Sequence, residues 1–136
     1  MSADISNLSG NRFPATQDAQ RQGLSIIVPA YNEAAGLALL HERLCTLAGK
    51  LKQDYGLSCE VVYVDDGSAD NTLAIARSLP ATALDVQVVS LSRNFGKEAA
   101  LMAGLDHARR GAVLFMDGDG QHAPELVEQL VRHWIV

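Results

Sequence analysis

From Leu24 onward the chain alternates short apolar runs with longer segments whose apolar residues recur every three or four positions, which predicts strands alternating with helices. Four such units follow one another. Leu24 to Ala30 reads as a strand leading into a helix from about Glu33 to Tyr55, with Leu37, Leu40, Leu44, Leu47 and Leu51 in one stripe. Glu60 to Val64 is the second strand. The turn Asp65-Asp66-Gly67-Ser68 follows, and then a helix that Asp70 can cap, with Leu73, Ala76 and Leu79 on one side and Pro80 beyond its end. The third unit is a strand from Val86 to Leu91, a loop from Ser92 to Gly96 and a small-residue helix from Lys97 to Arg109. The fourth is a strand from Ala112 to Met116, a loop from Asp117 to His122 and a helix begun by Pro124 and Glu125, with Leu126, Leu130 and Trp134 at helical spacing.

Residues 1–23 are polar and aperiodic and are expected to form a mobile arm; residues 24–136 form the folded part. Ile26 to Val28 and Val61 to Val64 are continuously apolar rather than alternating, as strands are when helices cover both faces of a sheet. The predicted fold is therefore α/β: a three-layer α/β/α sandwich, Rossmann-like, around a mainly parallel sheet. In such folds ligands bind beyond the carboxyl ends of the strands, so the chemistry is to be sought in the loops that follow them.

Composition narrows the partners. The chain has 136 residues, 48% hydrophobic and 20% charged, which places it among globular sequences and excludes collagen, coiled-coil and disulfide-scaffold classes. Eleven basic against sixteen acidic side chains give a net charge of −5, which argues against a nucleic-acid binder that works by neutralising phosphates. Any phosphate bound here needs a local device. Cys45 and Cys59 stand in no metal or redox spacing and read as buried or half-buried thiols in a reducing compartment. No secretory leader and no run near the roughly 18 apolar residues of a membrane span is present, so a cytoplasmic location is expected. His41, His107 and His133 fall on helices and read as surface residues.

The loops on the carboxyl edge collect Pro29, Ala30, Tyr31, Asn32 and Glu33, then Asp65, Asp66 and Ser68, then Ser92, Arg93, Asn94 and Lys97, then Asp117, Gly118, Asp119, Gln121 and His122. Capping alone accounts for Ser68 and Asp70 as well as ligand contact does. Adjacent carboxylates such as Asp65 and Asp66 repel one another, and capping does not need both. Asp117 and Asp119, separated by one small residue and followed by the amide of Gln121, can converge on a hard cation such as Mg²⁺ or Mn²⁺. A metal-bound diphosphate reconciles an acidic edge with an anionic ligand, and Arg93 and Lys97 are the basic residues placed to touch one. His122 fits a hydrogen-bonding role as well as a metal-binding or proton-carrying one.

Ile27-Val-Pro-Ala-Tyr-Asn-Glu33, Val64-Asp-Asp-Gly-Ser68 and Asp117-Gly-Asp119 resemble, in order and spacing, the first half of the family 2 glycosyltransferase domain of GT-A type. Ser92-Arg-Asn-Phe-Gly-Lys-Glu98 and Gln121-His-Ala-Pro-Glu125 narrow the resemblance to the polyprenyl-phosphate glycosyltransferases, the group of dolichol-phosphate mannose synthase and the undecaprenyl-phosphate glucosyltransferases. The resemblance implies a nucleotide-sugar site lined by Pro29, Ala30, Tyr31 and Glu33, with Asp65 and Asp66 at the base or ribose. Asp117 and Gly118 lie beside the donor, and Asp117, Asp119 and Gln121 hold the metal on its diphosphate; Asp117 and Asp119 are the implied catalytic pair. It also implies a lipid-phosphate acceptor that attacks the anomeric carbon with inversion, and a membrane surface reached through segments outside these residues. Where relatives commonly carry Asp-Ala-Asp-Leu-Gln-His-Pro-Pro-Glu, this chain has Gly118, Gly120 and Ala123. The family's acceptor-side motifs are absent, so residues 24–136 are expected to be a donor-binding part that does not transfer sugar alone.

Two other classes share some of these features. A response-regulator receiver also binds Mg²⁺ through paired acids and is phosphorylated on an aspartate, here Asp117, but it has no use for Tyr31-Asn-Glu33. A haloacid-dehalogenase-type phosphatase expects Asp117-Gly-Asp119 on its first strand rather than its fourth.

Overall fold

The computed structural model describes residues 23–118 and 124–135. Residues 1–22 of the expected arm and the predicted site residues Asp119, Gln121 and His122 lie outside the described residues. Among the described residues four strands, β1 (Leu24–Ala30), β2 (Cys59–Asp65), β3 (Asp85–Ser90) and β4 (Ala112–Phe115), alternate with four helices, α1 (Leu37–Tyr55), α2 (Thr72–Ser78), α3 (Lys97–His107) and α4 (Glu125–Ile135). The strands form one parallel sheet in the order β3-β2-β1-β4. Ala30 is level with Asp65, and Ile27 with Phe115.

The two faces of the sheet are covered by different helices, as the continuous apolar strands require. On one face Ile26, Val28, Val61 and Tyr63 pack against Leu37, Leu40, Leu44 and Leu51 of α1, with Ala76 of α2 and Val127 and Val131 of α4. On the other face Ile27, Val62 and Val64 meet Ala100 of α3. The predicted leucine stripe of α1 is thus the core of the larger layer. Gly23, expected in the arm, belongs to the fold: it is buried and its carbonyl accepts the Ala112 amide.

Several helix boundaries move from their predicted positions because backbone amides have other partners. The first helix begins at Leu37 rather than near Glu33, since the Glu33 amide donates to Thr72 Oγ1 and the Ala34 amide to Asp70. The third ends at His107 rather than Arg109, since the Arg109 amide turns back onto the carboxylate of Glu60. His41 is corrected from surface to core. Its Nε2 lies 2.7 Å from the Pro80 carbonyl, which can only accept, so Nε2 carries a proton; the Tyr63 hydroxyl lies 2.6 Å from Nδ1. Leucines flank His41 at Leu40 and Leu44, and periodicity alone did not reveal that a histidine shares their face. The cysteines match their reading: both are free, and burial pushes the Cys59 thiol up to about 11, far from a reactive thiolate.

Glu60 is fully buried in β2 and is stabilised by three donors on three elements. Ser25 Oγ donates at 2.6 Å, Gln87 Nε2 at 3.0 Å and the Arg109 amide at 2.6 Å. Burial pushes its carboxyl up, but the hydrogen bonds from Ser25, Arg109 and Gln87 outweigh it and hold the group below its ordinary value of 4.5. Glu60 therefore clamps β1, β3 and the turn from α3 to β4 onto β2. Because its folded-state pKa is depressed, this contribution is complete above about pH 4.5 and is lost as pH falls through the folded-state value. Glu60→Ala is expected to cost about 2–4 kcal/mol in urea unfolding at pH 7 by stranding those donors. Glu60→Gln is expected to narrow its stability gap to the native chain between pH 5 and 3; a constant gap refutes the clamp's ionic character.

Candidate functional site

The sheet order places a crevice at the carboxyl end of β1. From β1 the chain moves outward through β2 to β3, then crosses back by α3 on the opposite face to set β4 on the other side of β1. The loops after β1 and β4 therefore diverge, and such a reversal of strand order is where open α/β sheets bind ligands. A cleft of about 220 Å³ lies there. Pro29, Ala30, Tyr31 and Glu33 line it from the β1 side, and Asp66, Lys97, Asp117 and Gly118 from the three other loops. All eight are residues that the sequence marked. Its volume is below the roughly 300–1,000 Å³ of a complete small-molecule site.

The loop after β1 is fastened to the loop after β2. Asn32 adopts a left-handed φ of 56°, a conformation that asparagine tolerates better than most residues. There its amide donates to Ser68 Oγ at 2.9 Å while its Oδ1 accepts the Ala69 amide at 2.8 Å. The hydroxyl of Thr72, then the Thr72 and Ala34 amides, hold the Asp70 carboxyl below the usual carboxylate range. Asp70 and Thr72 thus tie the start of α2 to residues 33 and 34, while the N-cap position itself falls to Asn71 rather than to Asp70. Tyr31, nearly half exposed, is presented on this braced loop.

The acid pair divides its work. Asp65 is buried, accepts the Ser68 amide at 3.4 Å, and is not among the residues lining the cleft. Asp66 lines the cleft and also organises the loop after β3: its Oδ1 accepts the Phe95 amide at 2.8 Å and its Oδ2 the Gly96 amide at 3.1 Å, with Asn94 Nδ2 at 3.4 Å. Gly67 permits this approach. With φ of 70° and the backbone of Arg93 and Asn94 only 2.2–2.3 Å from where a Cβ would stand, no side chain fits. Arg93 is not brought to the cleft; its guanidinium lies 4.7 Å above the Phe95 ring.

Lys97, the first residue of α3, reaches across the cleft and pairs with Asp117 Oδ1. Next to Asp117, the Gly118 amide donates to the Pro29 carbonyl at 3.2 Å, and a Cβ at Gly118 would come within 2.9 Å of that oxygen. The loop after β4 is thereby drawn flat against β1. Among the described residues no group of three His, Cys, Asp or Glu side chains is placed to hold a metal, and no helix is long and apolar enough to cross a membrane.

The sequence model for glycosyl transferase family 2 matches residues 25–135. An uncharacterized glycosyltransferase, sll0501, of Synechocystis sp. is 43% identical over 111 residues, covering 82% of this chain and 34% of that protein. The undecaprenyl-phosphate 4-deoxy-4-formamido-L-arabinose transferase of Aeromonas hydrophila is 38% identical over 110 residues, 80% of this chain and 32% of that protein. The crystal structure of S. aureus TarS 1-349 in complex with UDP-GlcNAc superposes with a TM-score of 0.61 at 33% identity, covering 81% of this chain and 30% of that one. The chain spans about a third of the length of the curated relatives it matches.

The two amide bonds to Asp66 make a local prediction. Asp66→Ala is expected to destabilise the loop by about 3 kcal/mol and to speed hydrogen exchange at the Phe95 and Gly96 amides by roughly two orders of magnitude. Unchanged exchange at those two amides refutes the assignment.

Proposed function

Because the chain belongs to glycosyl transferase family 2, we propose that it is the donor-binding part of an enzyme that moves a sugar from a nucleoside diphosphate, UDP or GDP, to a polyprenyl phosphate. The observation that carries this reading is the convergence of four separated motifs on one cleft at the strand-order reversal. The relative named for undecaprenyl phosphate supports the lipid acceptor, and the neighbour solved with UDP-GlcNAc supports the nucleotide-sugar donor. The receiver alternative has no comparable support, since the loop bearing Tyr31 and Glu33 belongs to the cleft.

In this reading Pro29, Ala30, Tyr31 and Glu33 flank the nucleotide, and Asp66 rather than Asp65 faces the base or ribose, because Asp66 is the one of the pair that lines the cleft. Lys97 neutralises the diphosphate, and Gly118 lets the loop after β4 lie close to β1 beside the donor. Arg93, stacked on Phe95, is assigned no donor contact.

The cleft suits a divalent cation, Mg²⁺ or Mn²⁺, on two grounds: Asp117 supplies a hard oxygen donor, and it already accepts a cationic partner in Lys97. Asp117, Asp119 and Gln121 would hold the ion, which when bound stabilises the departing nucleoside diphosphate as a Lewis acid. The acceptor's phosphate oxygen forms the new bond to the anomeric carbon from the side opposite the leaving group. The bond from that carbon to the diphosphate oxygen breaks, and the configuration inverts. An acceptor that is already anionic needs no general base. The full-length protein would meet its lipid at the cytoplasmic face of a membrane.

Calorimetric titration with a panel of UDP- and GDP-sugars, with and without Mn²⁺, tests this. Binding is expected to need the metal and to weaken at least about tenfold in Asp119→Ala, the lower end of what even outer-shell changes cost metal sites. Equal affinity without metal overturns the role given to residues 117–121.

A further inference from the structure

The pairing of Lys97 with Asp117 has a consequence for how the cleft is loaded, one that rests on the donor and metal reading above. Lys97 begins α3, where the positive end of the helix disfavours a cation, so its position serves something other than the helix. Its backbone is set by the preceding loop, whose Phe95 and Gly96 amides are held by Asp66, and its side chain is drawn to Asp117 beyond a different strand. The two partners differ in character: the Lys97 side chain is 60% exposed and reaches in from solvent, whereas that of Asp117 is only 22% exposed and continues a loop fastened to β1. A pair with one mobile, solvated member is weak and readily exchanged.

We propose that Lys97 is the exchangeable counter-ion of Asp117. Its ammonium compensates the carboxylate in the empty cleft, gives up that oxygen when a divalent cation arrives, and turns to the diphosphate that comes with the cation. Two cations on one carboxylate repel each other, so Lys97 opposes the metal when it is alone. The diphosphate brings enough negative charge for both, so Lys97 favours the metal-donor pair. The same side chain therefore makes the cleft prefer a cation that arrives with a nucleoside diphosphate over the free ion, an arrangement that keeps the site from being occupied unproductively.

The test measures Mn²⁺ affinity of the purified chain by electron paramagnetic resonance, without nucleotide and with UDP-glucose. Exposed pairs of this kind set the expected size of the effect: Lys97→Met binds Mn²⁺ alone two- to fivefold more tightly than the native chain, roughly, and binds UDP-glucose in saturating Mn²⁺ more weakly. Amine labelling gives a second readout. Relative to Lys52, Lys97 is expected to label more readily once Mn²⁺ is added and to be protected again by UDP-glucose. Mn²⁺ affinity that is unchanged or weakened in Lys97→Met overturns the proposal. If Mn²⁺ binding is at the same time lost in Asp119→Ala, the metal reading stands and only the counter-ion fails. If the native chain leaves Mn²⁺ free even with UDP-glucose, the metal reading fails and this proposal with it.

Discussion

Everything at the candidate site depends on β1 being paired in parallel on both sides. With β2 on one side and β4 on the other, the first strand is shielded from water along its length, and its amide and carbonyl groups are used by its neighbours. The connections from β1 and into β4 then run on opposite faces of the sheet. Their loops cannot close over the end of β1, and the cleft is the space left between them. Apolar packing on both faces holds this arrangement, since shifting β1 by one residue would exchange Ile26 and Val28 with Ile27 between two differently shaped layers.

Around that frame, acidic side chains act as brackets for backbone amides and side-chain donors from separate elements. Glu60 gathers β1, β3 and the turn before β4; Asp66 gathers the loop after β3; Asp70 gathers the loop after β1. A carboxylate offers several acceptor sites, and amide donors that would otherwise be buried without partners make it worth burying. The acids thereby turn mobile loops into fixed walls. Asp117 also meets a side-chain cation at the cleft, the ammonium of Lys97. Chemical similarity among the acids thus conceals a difference of place: Glu60 and Asp70 fasten elements together, whereas Asp66 and Asp117 also line the cleft.

Much of the fold was legible because it rests on periodic burial. The leucine stripe of α1 and the unbroken apolar runs of β1 and β2 report directly on which surfaces must leave water. Boundaries were less legible, because a helix end depends on where distant donors and acceptors lie. Nothing local announces that Thr72 will claim the Glu33 amide or Glu60 the Arg109 amide. The site was legible as a set of loops, since residue types and strand ends are written in order along the chain. Its internal roles were not: Asp65 and Asp66 are adjacent and chemically identical, yet Asp65 ends β2 away from the cleft while Asp66, in the loop beyond it, lines the cleft. The burial of His41 is not legible in its spacing because it needs the Tyr63 hydroxyl and the Pro80 carbonyl, contributed by separate segments.

The sequence by itself determined the alternation of strands and helices, the faces that pack, the absence of a general phosphate-binding charge, and the motifs that mark the family. Each of these follows from local composition or from the regular spacing of residues along one element. Only the tertiary structure decided the order of the strands, which acid of the adjacent pair lines the cleft, and that Lys97 pairs with Asp117. Those outcomes depend on hydrogen bonds and ion pairs between groups far apart in the chain. Such pairings are selected by the geometry of the folded sheet, where leaving a buried donor without an acceptor is costly, and no short stretch of residues carries that information.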